Sequence, residues 1–204
     1  PEQALLELQN QGILEAIHPA FALTEDISRR FEAVRTSKAP WQKASDPDLR
    51  TLYWHAMASD IQRENLEDLC ERLQIGKRLA QSLVDTARLR FKHGEMLSNT
   101  ELQPSQVVEI LERYSEVARL TIWLTTCNAQ IKDYIARYEE KWQHIQPEFN
   151  GDVLREMEIK PGPCYQTILT RLRHARLNAE IQDMAGERQL VKQWLPEGIC
   201  DDAS

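Results

Sequence analysis

Apolar residues recur at three- and four-residue spacing through almost every stretch left uninterrupted by breakers, and no strict alternation marks a strand. The pattern predicts an all-α chain: a multi-helix body followed by a small helical tail. Leu5, Leu8, Gly12 and Ile13 open an amphipathic helix that must stop near His18-Pro19, and TEDISRRFEAV forms a second, with Thr24 as its N-cap. RTSKAPWQKAS reads as a loop. A third helix starts at SDPDLRTLYWHAMA, where Asp46 can cap, Pro47 suits the first helical position and Asp48 lies near the positive end of the dipole. ENLEDLCERLQI and KRLAQSLVDTARLRFKHG then pair around Gly76, with Leu79, Ala80, Leu83, Val84, Ala87 and Phe91 on one face of the second.

Pro104 marks a new start, and Ile131, Ile135, Tyr138, Trp142 and Ile145 repeat as the core-facing stripe of a long helix. The linker QPEFNG precedes a smaller helical unit over 150–195, and PEGICDDAS reads as a frayed acidic end. The expected organisation is a helical start over 1–40, a body over 41–149 and a tail over 150–204.

Composition narrows the partners. Among 204 residues, 25 basic side chains stand against 32 acidic ones, a net charge of −7, so nucleic acid has to be met by a local patch rather than by a uniformly basic coat. Four cysteines stand far apart, at 70, 127, 164 and 200, without C-x-x-C or a nearby His pair, and read as reduced thiols of a cytoplasmic protein. Charge interrupts every apolar stretch well short of the ~20 residues that a membrane span needs, so no membrane partner is expected. The chain opens on Pro1 rather than Met, which reads as a fragment or a processed product.

Catalytic chemistry is hard to find. Asp46 and Asp48 form a D-x-D, the spacing of metal-holding carboxylates, but helix capping accounts for the same letters and nothing Gly-rich precedes them. The histidines at 18, 55, 93, 144 and 174 fall in separate elements, so neither a catalytic nor a metal site is expected. Tyr134, Tyr138 and Trp142 have the rings to stack bases, yet they coincide with the apolar stripe and fit a core better.

Two basic concentrations remain. ARLRFKH, residues 87–93, carries Arg88, Arg90 and Lys92 as candidate RNA contacts, or as cations that favour a helix C-terminus. IKPGPCYQTILTRLRHARLNAEI, residues 159–181, has no acid between Lys160 and Ala179. Steps of about 100° per residue put Tyr165, Ile168, Leu169, Leu172 and Ala175 on one docking face, Arg171 and Arg173 on opposite flanks, and Arg176 near the middle of the apolar face, as a structural residue paired to a carboxylate such as Asp152 or Glu180. Pro163 fits the first helical position, so Gly162 is the cap and offers no side-chain acceptor. With Lys160 just upstream, the open first turn suits a phosphate or carboxylate, although water or a neighbouring carbonyl would serve it equally.

NGDVLREMEIKPGPCYQTILTRLRHARLNAEI resembles the C-terminal tail of class II tRNA nucleotidyltransferases and the related bacterial poly(A) polymerases, whose pattern runs G-x-D-L, P-G-P, I-L and A-R-L-D-G-E. Gly151, Leu154, Pro161, Gly162, Pro163, Ile168, Leu169, Ala175, Arg176, Leu177 and Glu180 match it, and Asp152 stands one place before the pattern's Asp. ALLELQNQGILEAIHPAF is similar to the end of that family's neck, and LQPSQVVEIL to a body helix. Glu158 stands where the pattern often has Gly, Gln166 replaces a frequent Gly, and LNAE replaces LDGE.

The resemblance implies that residues 1–40 end a neck, 41–149 form the body and 150–204 the tail of a protein whose catalysis sits in an N-terminal head absent here. The implied role is to grip the acceptor arm and elbow of tRNA, not DNA, with Lys160, Gly162, Arg171, Arg173, Arg88, Arg90 and Lys92 as contacts. The fragment itself would need no cofactor, while the parent would use Mg²⁺ with ATP or CTP. A helical protein-interaction scaffold without RNA is the competing reading.

Overall fold

The computed structural model describes residues 1–43, 47–196 and 199. The regular structure among the described residues is all helical, with no strand, and they divide into two compact units. The first comprises Pro1–Glu101 with Ile110–Glu139; the second comprises Leu102–Glu109 with the chain from Glu140 onward.

The first unit holds α1 (Glu2–Asn10), α2 (Ile13–Ile17), α3 (Glu25–Thr36), α4 (Leu49–Ala58), α5 (Arg63–Arg72), α6 (Lys77–Arg88), α7 (Gly94–Leu97), the end of α8 (Pro104–Leu111), α9 (Glu116–Thr125) and nearly all of α10 (Ala129–Glu140). Helices α4, α6 and α9 pack on one another, with α3 against α4 and α9. Phe31, Leu52, Ala56, Leu66, Leu83, Ala87 and Leu120 meet between them in one apolar core. Thr24 caps α3 as its sequence predicts, accepting from the Ile27 N–H at 3.2 Å. The start of α4 differs from expectation. Asp48 is its cap and accepts from Thr51 N–H at 2.8 Å, which leaves Pro47 outside the helix; Asp46, expected as the cap, lies outside the described residues.

Two buried arginines tie the first unit together. Arg30 donates to Asp60 at 2.8 Å and to the Ser59 hydroxyl at 3.2 Å. Arg119 pairs with buried Glu139 at 2.5 Å, donates to the carbonyls of Leu111 and Tyr114, and lies 4.7 Å from the Tyr138 ring centre. Of the predicted stripe, Ile131, Ile135, Tyr138 and Trp142 are buried and Ile145 is half-buried; α10 ends at Glu140, Trp142 begins a separate 3-10 turn, Trp142–His144, and Ile145 follows it in extended backbone.

The second unit contains α11 (Gly151–Glu156), α12 (Pro163–Leu177) and α13 (Met184–Trp194) around Phe149, Leu154, Ile159, Ile168, Leu172 and Val191. Cys164, at the start of α12, is disulfide-bonded, which corrects the expectation of four reduced thiols; Cys70 and Cys127 are free, and Cys200 lies outside the described residues.

Three helices end through the same left-handed turn. Gln74, Glu158 and Ala179 follow α5, α11 and α12 at φ 52°, 62° and 60°, and the next residue in each case donates back into the last turn: Ile75 to Cys70, Ile159 to Leu154 and Glu180 to Ala175, at 2.9, 3.2 and 2.9 Å. This is the Schellman termination, whose left-handed position favours glycine. Glu158 and Ala179 are two of the places where the chain departs from the tail pattern of the nucleotidyltransferases. Both positions thus take the left-handed conformation without the residue that adopts it most readily.

Candidate nucleic-acid interface

The run at residues 87–93 lies where α6 widens into a π-helical turn, Leu89–His93. Such single turns occur often at functional positions. Leu89 and His93 are buried, while Arg88, Phe91 and Lys92 are exposed and Arg90 is half-buried. Phe91 is 52% exposed, which corrects its assignment to the core face of α6. The π-helical turn shifts the register, so Leu89 takes the buried side and Phe91 turns outward. The start of α5, with Gln62, Arg63 and Glu64, meets Ala87 and Arg88 in a groove, and Phe91 and Lys92 edge that groove one turn further along.

Arg90 takes a different direction from Arg88 and Lys92. It lines a cleft of about 600 Å³ with Asp26, Arg29 and Arg30 of α3 and with Thr125–Asn128 and Lys132 at the α9–α10 turn. Asn128 builds the far wall by capping α10, accepting from Gln130 and Ile131 N–H at 2.9 and 3.2 Å. Lys132 lies over the Trp123 ring at 4.7 Å, and Trp123 meets Trp41 edge-on at 5.3 Å. Burial, with the Arg30 charge adding to it, holds the Arg90 pKa below the ordinary arginine value. The charge run that looks contiguous in sequence is therefore divided between a groove and a cleft. Arg29, Arg30 and Lys132 carried no sequence signal, because some forty to sixty positions separate them from Arg90 and each sits among residues of ordinary helical composition.

At the other candidate window, Gly162 is the N-cap of α12 without a side-chain hydrogen bond, and Pro163 is its first residue, as predicted. The first turn is less open than the sequence implies. Tyr165 N–H turns back onto the Gly162 carbonyl at 3.0 Å, and Pro163 has no N–H to offer. Gly162 and Arg173 line one cleft of about 630 Å³ with Asn150, Tyr165, Gln166 and Thr170. Arg173 also donates to the Ile145 carbonyl at 3.1 Å. Lys160 is exposed and does not line that cleft, and Arg171 lies over the Trp194 ring at 4.9 Å. The window thus brings together Gly162 and Arg173, not all four candidates.

Arg176 is structural, as the helical projection requires, but its partners are Glu148, at 2.6 Å, and Glu187. Asp152 pairs instead with Arg155, three residues on in the same helix, and Glu180 is exposed beyond the end of α12. Burial opposes the Arg176 charge, yet the hydrogen bonds it donates to Glu148 and Glu187 hold its pKa above the ordinary arginine value.

Among the described residues, no group of three or more His, Cys, Asp or Glu side chains is placed to hold a metal ion, and no helix is long and apolar enough to cross a membrane. His55 is buried on α4, its Nδ1 2.7 Å from the Thr86 hydroxyl, and burial lowers its pKa to about 4. It is a neutral packing residue.

Neither a protein-family model nor a solved structure matches the chain. The chain is 24% identical, over 94% of its length, to an A-adding tRNA nucleotidyltransferase of Geobacter sulfurreducens, and it spans 23% of that relative. The resemblance read from the tail motif therefore extends along nearly the whole sequence.

Proposed function

We propose that residues 1–204 form the tRNA-binding, non-catalytic helical portion of a tRNA nucleotidyltransferase, with neck end, body and tail at 1–40, 41–149 and 150–204. The observation that carries the proposal is the similarity to an A-adding enzyme along 94% of this chain. In support, cations gather locally in a chain of net charge −7, at the Arg90 cleft and at the Arg88–Lys92 groove, and Arg173 lines the cleft beside Gly162. Phosphate contacts of this kind set register and orientation on an RNA without reading its sequence.

In this proposal the parent is a cytoplasmic enzyme that adds A to the tRNA 3′ end, with CCA and poly(A) addition as the alternatives. Its Mg²⁺ and ATP or CTP are held by a catalytic head outside these residues. The helical portion grips the acceptor arm and elbow and so contributes orientation, which makes the addition effectively intramolecular.

A salt titration of tRNA binding by the chain tests the reading. Affinity that falls steeply with salt is the expected result. No detectable binding at low salt would favour a protein-interaction scaffold instead, and incorporation of nucleotide by the chain alone, given ATP, Mg²⁺ and tRNA, would overturn its non-catalytic assignment.

A further inference from the structure

The carboxylates around Arg90 are already engaged. Asp60 accepts from Arg30 at 2.8 Å, and Asp26 is paired with Arg29 in the next turn of the same helix. Arg90 itself makes neither a hydrogen bond nor an ion pair among the described residues, although it is half-buried and shares its cleft with Arg29, Arg30 and Lys132. A guanidinium does not shed its proton in a protein, so Arg90 remains charged in a site that opposes its charge. With 32 acidic residues in the chain, a partner for it was within easy reach of the sequence. An unpaired cation facing other cations is an arrangement that an anion from outside stabilises, and the arginine fork matches two oxygens of a phosphate.

We infer that the cleft between α3, the π-helical turn and the α9–α10 turn is a phosphate-binding site, in which Arg90 and Lys132 contact the oxyanion while Arg29 and Arg30, held by Asp26 and Asp60, supply the surrounding field. The ligand is a backbone phosphodiester of RNA; this assignment of source rests on the proposed tRNA-binding function. The Lys132 ammonium is held over the Trp123 ring at one side of the cleft, and Arg90 is flanked in its turn by the buried Leu89 and His93.

The test compares wild type with Arg90→Gln, Lys132→Gln and, as a control on the exposed side of α13, Lys192→Gln. Binding of tRNA, AMP and inorganic phosphate is measured across a range of salt, and thermal melts confirm folding. The cleft variants are expected to weaken tRNA binding about tenfold each and to lower the salt-dependence slope by about 1, with the control unchanged. Loss of AMP or phosphate binding, with tRNA binding unchanged, would keep the phosphate site and overturn the phosphodiester assignment. Folded cleft variants that match wild type for all three probes would overturn the site altogether, as would equal competition by a poly-glutamate peptide. Wild type that binds no tRNA would instead defeat the proposed function, and the AMP and phosphate measurements would still decide the cleft. If Arg90→Gln fails to fold, Lys132→Gln carries the same comparison.

Discussion

Arg176 and Glu187 form an ion pair in the interior of the second unit. Glu187 has no exposed surface, and its two oxygens also accept from the Glu148 and Phe149 N–H groups at 2.9 and 2.8 Å. The pair therefore fixes the linker before α11 against α12 and α13 at once. Apart from the arginine, this carboxylate is satisfied by backbone, so removing Arg176 strands a charge where water does not reach it.

Arg176→Ala is accordingly expected to destabilise the chain by about 3–5 kcal/mol, the cost of breaking a buried pair from one side. Arg171→Ala, on the exposed flank over Trp194, is expected to cost less than about 1 kcal/mol. Urea denaturation followed through a tryptophan signal checks both; equal midpoints for the two variants would refute the structural assignment of Arg176.

The three left-handed helix ends give a prediction of opposite sign. A residue with a Cβ costs about 1–2 kcal/mol in this region, and glycine recovers that cost less its own entropy of about 0.5–1 kcal/mol. Gln74→Gly, Glu158→Gly and Ala179→Gly should each raise stability by about 0.5–1 kcal/mol. Gly12→Ala, at φ 72°, should lower it. Gly162→Ala serves as the neutral comparison, because φ 163° is extended backbone and an added Cβ meets nothing within 4 Å. Melting temperatures of the five variants settle the ordering.

These positions show what the sequence made legible. Helical periodicity and caps that lie within three residues of their targets, such as Thr24 and Ile27, need only local letters, and so the all-α class, the start of α3 and the docking face of α12 were readable. Arg90 facing Arg30 and Arg176 meeting Glu187 depend on which helices become neighbours. Periodicity places Phe91 on the apolar side of α6 but cannot show that a π-helical turn shifts the register beyond Arg88. For the same reason a contiguous basic run in sequence became two separate surfaces.

Burial of His55 makes stability depend on pH. Its pKa falls from 6.5 to about 4, because the charged form is desolvated on α4. A depressed histidine binds its proton more readily in the unfolded chain. Its contribution is therefore neutral above about pH 6.5 and becomes destabilising as pH falls from 6.5 towards 4. The whole shift corresponds to a loss of about 3 kcal/mol. The Thr86 hydroxyl donates to the Ser82 carbonyl at 3.0 Å, so it accepts from a neutral His55 through Nδ1. His55→Gln should lower stability at pH 7 and flatten its pH dependence between 6.5 and 4. Denaturation midpoints across that range would show it, and an unchanged pH profile in the variant would assign the dependence to other groups.

Leu89 and Phe91 test the course of the π-helical turn directly. They stand two residues apart in one basic run, and a straight continuation of α6 places Phe91 one turn beyond Ala87 on the apolar face, with Leu89 turned away from it. The structure instead buries Leu89 fully and leaves Phe91 52% exposed. Truncating a buried leucine costs about 2–5 kcal/mol through lost transfer energy and the cavity left behind. Truncating an exposed ring that edges a groove costs about 0.5 kcal/mol or less. Leu89→Ala should therefore shift the urea midpoint strongly and Phe91→Ala barely at all, with the denaturant slope unchanged in both. A larger loss for Phe91→Ala than for Leu89→Ala would mean that the helix continues in its ordinary register, returns Phe91 to the core, and removes the division of Arg88, Arg90 and Lys92 between two surfaces.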